Sequence, residues 1–192
     1  MKHSLAALIA TSVLSFSFPA LADPQVYTLD PNHTNIVWSA NHFGFSNPSG
    51  KFATVQGTLV LDEANPEASK VSVMVTLASV ITGVAHLDEH LKSDAFFDIA
   101  KFPTAIFLST KVEPTGNNNA KVTGKLTLHG VTKDVVLDVH LNKIGESPIS
   151  HKKTAGFSAS TVIKRSDFGI NFAIPGVSDE VKIAIESEAN LS

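Results

Sequence analysis

HLDEHLKSDAFFDIAKFPTAIFLS, residues 86–109, breaks the pattern that governs the rest of the chain. Elsewhere apolar and polar residues alternate with period two, as half-buried strands do. Here Val84, Leu87 and Leu91 fall at i, i+3 and i+7, on one face of a short helix. Thr82 is its expected N-cap. Phe96, Phe97 and Phe102 follow, and Pro103 ends the segment before another apolar strand. A helix and an aromatic cluster set among antiparallel strands read as a lid or plug at the mouth of a β-barrel. The segment then closes one end of an apolar cavity.

Working outward, residues 104–112 form a strand in which Ile106 and Leu108 are prominent, and PTGNNN (114–119) reads as an exposed loop. Val122, Gly124, Leu126 and Leu128 pair with Val135, Leu137, Val139 and Leu141 as a hairpin turned at His129-Gly130. Residues 145–153 are polar and loop-like. Phe157, Ala159, Thr161 and Ile163 alternate again, and Val181, Ile183 and Ile185 make the final strand. Upstream, residues 26–30 and 32–45 are two strands divided by Pro31, the second apolar on both faces. NPSG (47–50) is a turn. Ala53 to Leu61 alternates, and Val71, Val73, Val75 and Leu77 define a one-sided strand. About eight short strands at even spacing argue for a sandwich or an up-and-down barrel. An eight-stranded barrel has room for one small ligand. Twelve Phe against one Tyr and one Trp make an unusually dry aromatic set. Buried Tyr and Trp need polar partners, whereas Phe does not. The Phe residues suit either plain core packing or the wall of a pocket.

The chain opens with Met1-Lys2-His3, runs apolar from Leu5 to Phe18 and reaches Ala20-Leu21-Ala22. That is the layout of a cleaved secretory signal peptide over residues 1–22. The apolar run is short for a membrane span. The mature chain, residues 23–192, suits one domain. Losing Lys2 takes its formal charge from −3 to −4, which does not suit a nucleic-acid partner. Without cysteine no disulfide, thiol chemistry or acylated anchor is expected, and no later run approaches the length of a membrane span, so stable membrane insertion is not expected. Homodimers are the commonest soluble oligomers, and a homodimer stays open here.

Several segments in order resemble the YceI-like family of exported lipid-binding proteins. They are LDPNHT (29–34) with Ile36, HFGFSNPSGKF (42–52), DEHLKS (88–93), FFD (96–98) and FPT (102–104). VTGKLTLHGVTK (122–133) and KRSDFGI (164–170) continue the series. The resemblance spans nearly the whole mature chain. It implies an all-β fold, an eight-stranded antiparallel lipocalin-like barrel with a short helix near one opening. It also implies a periplasmic protein whose apolar tunnel holds a long-chain isoprenoid, of quinone or polyprenyl type, or another amphiphilic lipid. On that reading, the ligand wall draws on Phe43, Phe45, Phe52, Val75 and Leu77, and on Leu91, Phe96, Phe97 and Phe102. Ile106, Leu108, Phe157, Ile163 and Phe168 complete the expected set, with His42, His90 and Arg165 facing a headgroup. The family often has Arg where this chain has Leu87, which affects any headgroup preference. No cofactor or resident metal is expected.

A different chemistry is spelled by His86, Glu89 and His90, an H-x-x-E-H motif that on a helix could place two imidazoles on one zinc. Glu89 would be the base of a small metal-dependent hydrolase, but no third ligand is marked. Asp30 with His33 could begin a catalytic dyad, though a turn held by an Asp side chain is the plainer reading. Asp167-Phe168-Gly169 lacks the companion motifs of a kinase. Arg165 is the only arginine; it either pairs with a carboxylate such as Asp167 or presents its charge at the barrel mouth. A solid-core interaction module is the third alternative.

Overall fold

The computed structural model describes residues 23–192. The expected signal peptide, residues 1–22, lies outside the described residues. Strands β1 (Gln25–Leu29), β2 (Asn35–His42), β3 (Ser49–Phe52), β4 (Val55–Leu61), β5 (Lys70–Thr76) and β6 (Val80–Ile81) precede helix α1 (Ala85–Lys92). Strands β7 (Thr104–Gly116), β8 (Asn119–Leu128), β9 (Val131–Glu146), β10 (Lys153–Lys164) and β11 (Val177–Leu191) follow it. Every pairing is antiparallel.

The short strands are pieces of longer ones. β1 and β2 lie end to end along β11, with Tyr27 opposite Leu191 and Ile36 opposite Ile185. β4 and β3 run beside them, then β5 and β6. Counted this way, eight strand positions follow chain order around a ring, and the β1–β11 pairing closes it. The fold is an eight-stranded antiparallel closed barrel with one short helix. Closure leaves the main ring without an unpaired edge.

Local chemistry explains the breaks. Asp30 ends β1 by capping a turn: its Oδ1 accepts from Asn32 N at 2.9 Å, and its Oδ2 lies 2.8 Å from His33 Nδ1. The supposed dyad is therefore a turn clasp. β8 and β9 are joined by His129 and Gly130 at φ 51° and 75°, the two left-handed residues of a tight hairpin. A Cβ on Gly130 would meet the Phe102 ring at 2.6 Å, so the position needs glycine twice over.

Two expectations fail here. Residues 114–119 are mostly strand, because Asn117 and Asn118 (φ 53° and 61°) make another two-residue turn and Pro114 sits beside a register shift. Thr82 is not the N-cap of α1: Val84 occupies that position without a side-chain bond. Instead Thr82 donates from N and Oγ1 to Asp88 Oδ1, at 2.7 and 2.6 Å, which holds that carboxyl below its ordinary pKa.

Two dense clusters close the barrel. At the helix end Phe52, Val55, Leu77, Leu91, Leu128 and Phe168 pack together. At the opposite end, where β1 begins and β11 finishes (the termini end), the cluster is Tyr27, Leu29, Leu59, Leu61, Ala155 and Ala189. Between them the inward residues of β9 (Val135, Leu137, Val139, Leu141) and of β11 (Val181, Ile183, Ile185) are only half-buried. In a close-packed core such side chains would be wholly covered. Here they face a cavity.

Candidate functional site: an apolar barrel cavity

The cavity measures about 1300 Å³. Its wall is built by the period-two alternation that places every second strand residue inward. Ile36 and Trp38 of β2, Val73 and Val75 of β5, and Phe107 of β7 contribute. So do Leu126 of β8, Val135 to Leu141 of β9, Phe157 to Ile163 of β10 and Val181 to Ile185 of β11. α1 lays Leu87, His90 and Leu91 against one end. This volume exceeds the roughly 300–1,000 Å³ of ordinary small-molecule pockets.

Of the residues expected from sequence, Phe43, Phe52, Val75, Leu77 and Leu91 line the cavity. Phe96, Phe97, Phe157, Ile163, His42, His90 and Arg165 line it too. Five do not. Ile106 and Leu108 point outward and are exposed, because the register turns Ala105 and Phe107 inward. The run TAIFL is apolar on both faces, so alternation could not choose between them. Phe45 is 91% exposed on the loop after β2. Phe102 packs against His129, centroid to centroid 4.7 Å, outside the cavity. Phe168 is buried in the helix-end cluster, beneath the wall rather than in it.

Sequence reasoning missed Trp38, Val73, Phe107, Leu126, Phe172 and the whole inner faces of β9 and β11 as wall residues. Their signal was present. A one-sided apolar alternation marks the inside of a barrel, and inside a wide barrel it marks the container.

Polar groups gather at the two ends. At the helix end His90 sits edge-on to Phe96 and Phe172, at 5.0 and 5.2 Å between centroids. Arg165 is 5% exposed, and its contacts are carbonyls rather than a carboxylate. Its Nε donates to Ser178 O (2.9 Å), Nη1 to Ile170 O (3.1 Å) and Phe172 O (2.8 Å), and Nη2 to Val177 O (2.9 Å). The guanidinium carbon lies 6.0 Å from the centre of the Phe96 ring. Arg165 is thus the clamp of residues 169–178, and its positive charge stays beside the cavity wall. Burial pushes its pKa down and nearby Asp179 opposes that. Asp179 accepts from Ser166 N and Oγ, each at 2.8 Å, and these bonds hold its carboxyl below the ordinary value.

At the termini end Asp62, Glu63, Lys70, Asn118 and Asn119 reach the cavity. Lys153 donates to Gln25 Oε1 at 2.7 Å and to Glu63 Oε1, and the Glu63 contact raises its pKa. Between the ends the wall is overwhelmingly hydrocarbon. Among the described residues, the one buried side-chain nitrogen or oxygen without a partner is Trp38 Nε1, which is covered by protein.

His86 and His90 do face one another, ring centroids 6.5 Å apart, but no third ligand joins them among the described residues. Glu89 pairs with Lys92 at 2.9 Å, and His90 also packs edge-on to Phe96 and Phe172. Among the described residues, the group of three potential metal ligands is instead Asp30, His33 and Glu188, the exposed turn clasp.

Fold and cavity together define a class: a closed antiparallel barrel whose interior is a container with walls poor in reactive groups. The chain belongs to the YceI-like family, whose YceI-like domain matches residues 27–189. It is 40% identical over 170 residues to a UPF0312 protein of Pseudomonas savastanoi pv. phaseolicola, covering 88% of each chain. Among solved structures it is similar to the YceI protein of Campylobacter jejuni, with 36% identity and a TM-score of 0.72, over 79% of this chain and 90% of that one. It also shares its fold with a polyisoprenoid binding domain from Saccharophagus degradans, at 17% identity and a TM-score of 0.64, over 88% of this chain and 99% of that one.

Proposed function

We propose that this chain is a periplasmic lipid carrier, exported through a cleaved segment at residues 1–22. It holds a long-chain isoprenoid of quinone or polyprenyl type, or a similar amphiphile, for transport, storage or sequestration. The observation that carries this reading is the 1300 Å³ cavity with hydrocarbon walls along its length. Covering apolar surface is worth about 25 cal/mol per Å², so a tail that buries several hundred Å² gains on the order of 10 kcal/mol before ordering costs. No polar contact is needed at mid-barrel. The likeness to a polyisoprenoid binding domain supports the choice of ligand class.

The headgroup rests at the helix end, where His42, His90 and the Arg165 charge face the cavity. The guest's tail runs toward the Tyr27 cluster. Organic extraction of protein purified from its native host, followed by mass spectrometry, tests the reading. A long-chain lipid at near-stoichiometric yield is expected. Extracts free of lipid, with no uptake of added quinone or polyprenol, would overturn it.

A further inference from the structure

Two loops at the mouth beside α1 combine an absence of charge with exposed aromatic rings. Residues 43–50, FGFSNPSG, and 169–176, GINFAIPG, carry no charged side chain in a protein with 15 basic and 18 acidic ones. They nevertheless display Phe43, Phe45 and Phe172 at 56%, 91% and 49% exposure. Val84 and Ile81 add exposed apolar surface at the same end. Internal packing accounts for part of this. A Cβ on Gly176 would meet the Phe43 ring at 2.3 Å, so that ring lies on the opposite loop, and Arg165 ties Phe172 O in place. Packing does not account for Phe45.

Phe43 and Phe172 also line the cavity, so a continuous apolar path leads from solvent to the interior. The opposite end differs in charge. Its loop at residues 62–69, DEANPEAS, holds three carboxylates, and Lys70, Lys152 and Lys153 stand at the same end, Lys153 paired with Glu63. An uncharged aromatic rim enters the headgroup layer of a bilayer at less cost than an end that must strip water from ionised side chains.

We infer that the rim formed by residues 43–48 and 169–176 is a membrane-docking face, through which the cavity exchanges its guest directly with a lipid bilayer. The inference rests on the carrier reading and adds the surface at which the carrier loads. Phe45 and Phe172 enter the acyl boundary, the barrel stands on its helix end, and the guest passes between bilayer and cavity without crossing water. The proposed contact is made by the rim side chains alone; among the described residues no helix is long and apolar enough to cross a membrane.

The experiment places a tryptophan at each end of the mature protein. Phe45→Trp and Ile149→Trp both replace exposed apolar residues; Ile149, at the far end, is 89% exposed. Vesicles of equal parts phosphatidylethanolamine and phosphatidylglycerol with brominated chains are added. The unsubstituted protein, whose Trp38 lies in the barrel wall, supplies the background. Quenching and a blue shift at position 45 but not at 149 are expected. In Phe45→Glu, partitioning onto the same vesicles should weaken by about tenfold or more, with the fold unchanged by circular dichroism. Quenching at neither position, or equally at both, would overturn the inference. So would sedimentation showing a dimer that Phe45→Glu dissociates in a protein that ignores vesicles, since the rim would then meet a second copy. Lipid extraction is read separately: a protein that yields lipid yet shows no quenching keeps its carrier role and loses its docking face.

Discussion

The barrel's two ends solve the problem of closure differently. The termini end packs around a Tyr27 that is fully buried, and Asp62, Glu63, Lys70, Asn118 and Asn119 reach the cavity beside that cluster. The helix end is sealed by added chain: α1, the segment behind it, and residues 169–178 held by one arginine. Its rim is neutral and aromatic. A seal of packed side chains opens only if the barrel unfolds. A seal of loops pinned by hydrogen bonds can open by itself, as low-stability segments do at binding sites. On the proposed carrier reading, the helix end is the door.

Substitutions can break this contrast. Tyr27→Ala should cost about 4 kcal/mol in global unfolding by denaturant, because a large buried ring leaves a void. A loss below about 1 kcal/mol would show that the termini end is not a rigid seal. Arg165→Met should cost about 3 kcal/mol, since it strips charge-assisted donors from buried carbonyls, and should lower the melting midpoint by roughly 10 °C. Hydrogen exchange distinguishes the two. Arg165→Met should raise exchange first in residues 169–178, whereas Tyr27→Ala should raise it throughout.

Filling the barrel tests whether the ends communicate. Ala159 and Val73 line the cavity from strand positions on opposite sides of the ring. Ala159→Trp with Val73→Phe should reduce co-purified lipid by about tenfold or more, as lost burial converts to affinity, with little loss of stability.

Acid should also weaken the helix end. The Asp179 pKa lies below its ordinary 3.8, held there by Ser166. Its contribution is therefore present above that value and fades as pH falls through the lowered one. Melting curves between about pH 5 and pH 2 should show Asp179→Asn losing less stability with acid than the parent chain. Asp30, lowered chiefly by its bond to His33, titrates in the same direction and remains in both proteins. The smallest effect is expected for Tyr27→Phe. Its hydroxyl reaches Gln25 Oε1 only at 3.4 Å, so the change should be under about 1 kcal/mol.

The barrel was legible because alternation is a local property. Val135 to Leu141 and Val181 to Ile185 each announce a strand with one apolar face, and His129-Gly130 announces a hairpin. The site was legible only in part. Phenylalanine drew attention because it needs no polar partner, yet Phe45, Phe102 and Phe168 lie outside the wall, while plain valines and leucines form much of it. Which face of TAIFL turns inward depends on pairing with β5 and β8, which no local pattern encodes. Arg165 offered a charge to any reader of the sequence. That it would bind four carbonyls depends on a loop folding back from Gly169, whose φ of 77° begins the return.

The half-covered inner wall makes cargo and toughness one quantity. A guest that binds only the folded barrel adds RT ln(1 + [L]/Kd) to its stability, about 2.7 kcal/mol at a hundredfold excess over Kd. The melting curve then works as a fuel gauge, and a barrel that has lost its guest is a softer vessel, more open to proteases until it is refilled.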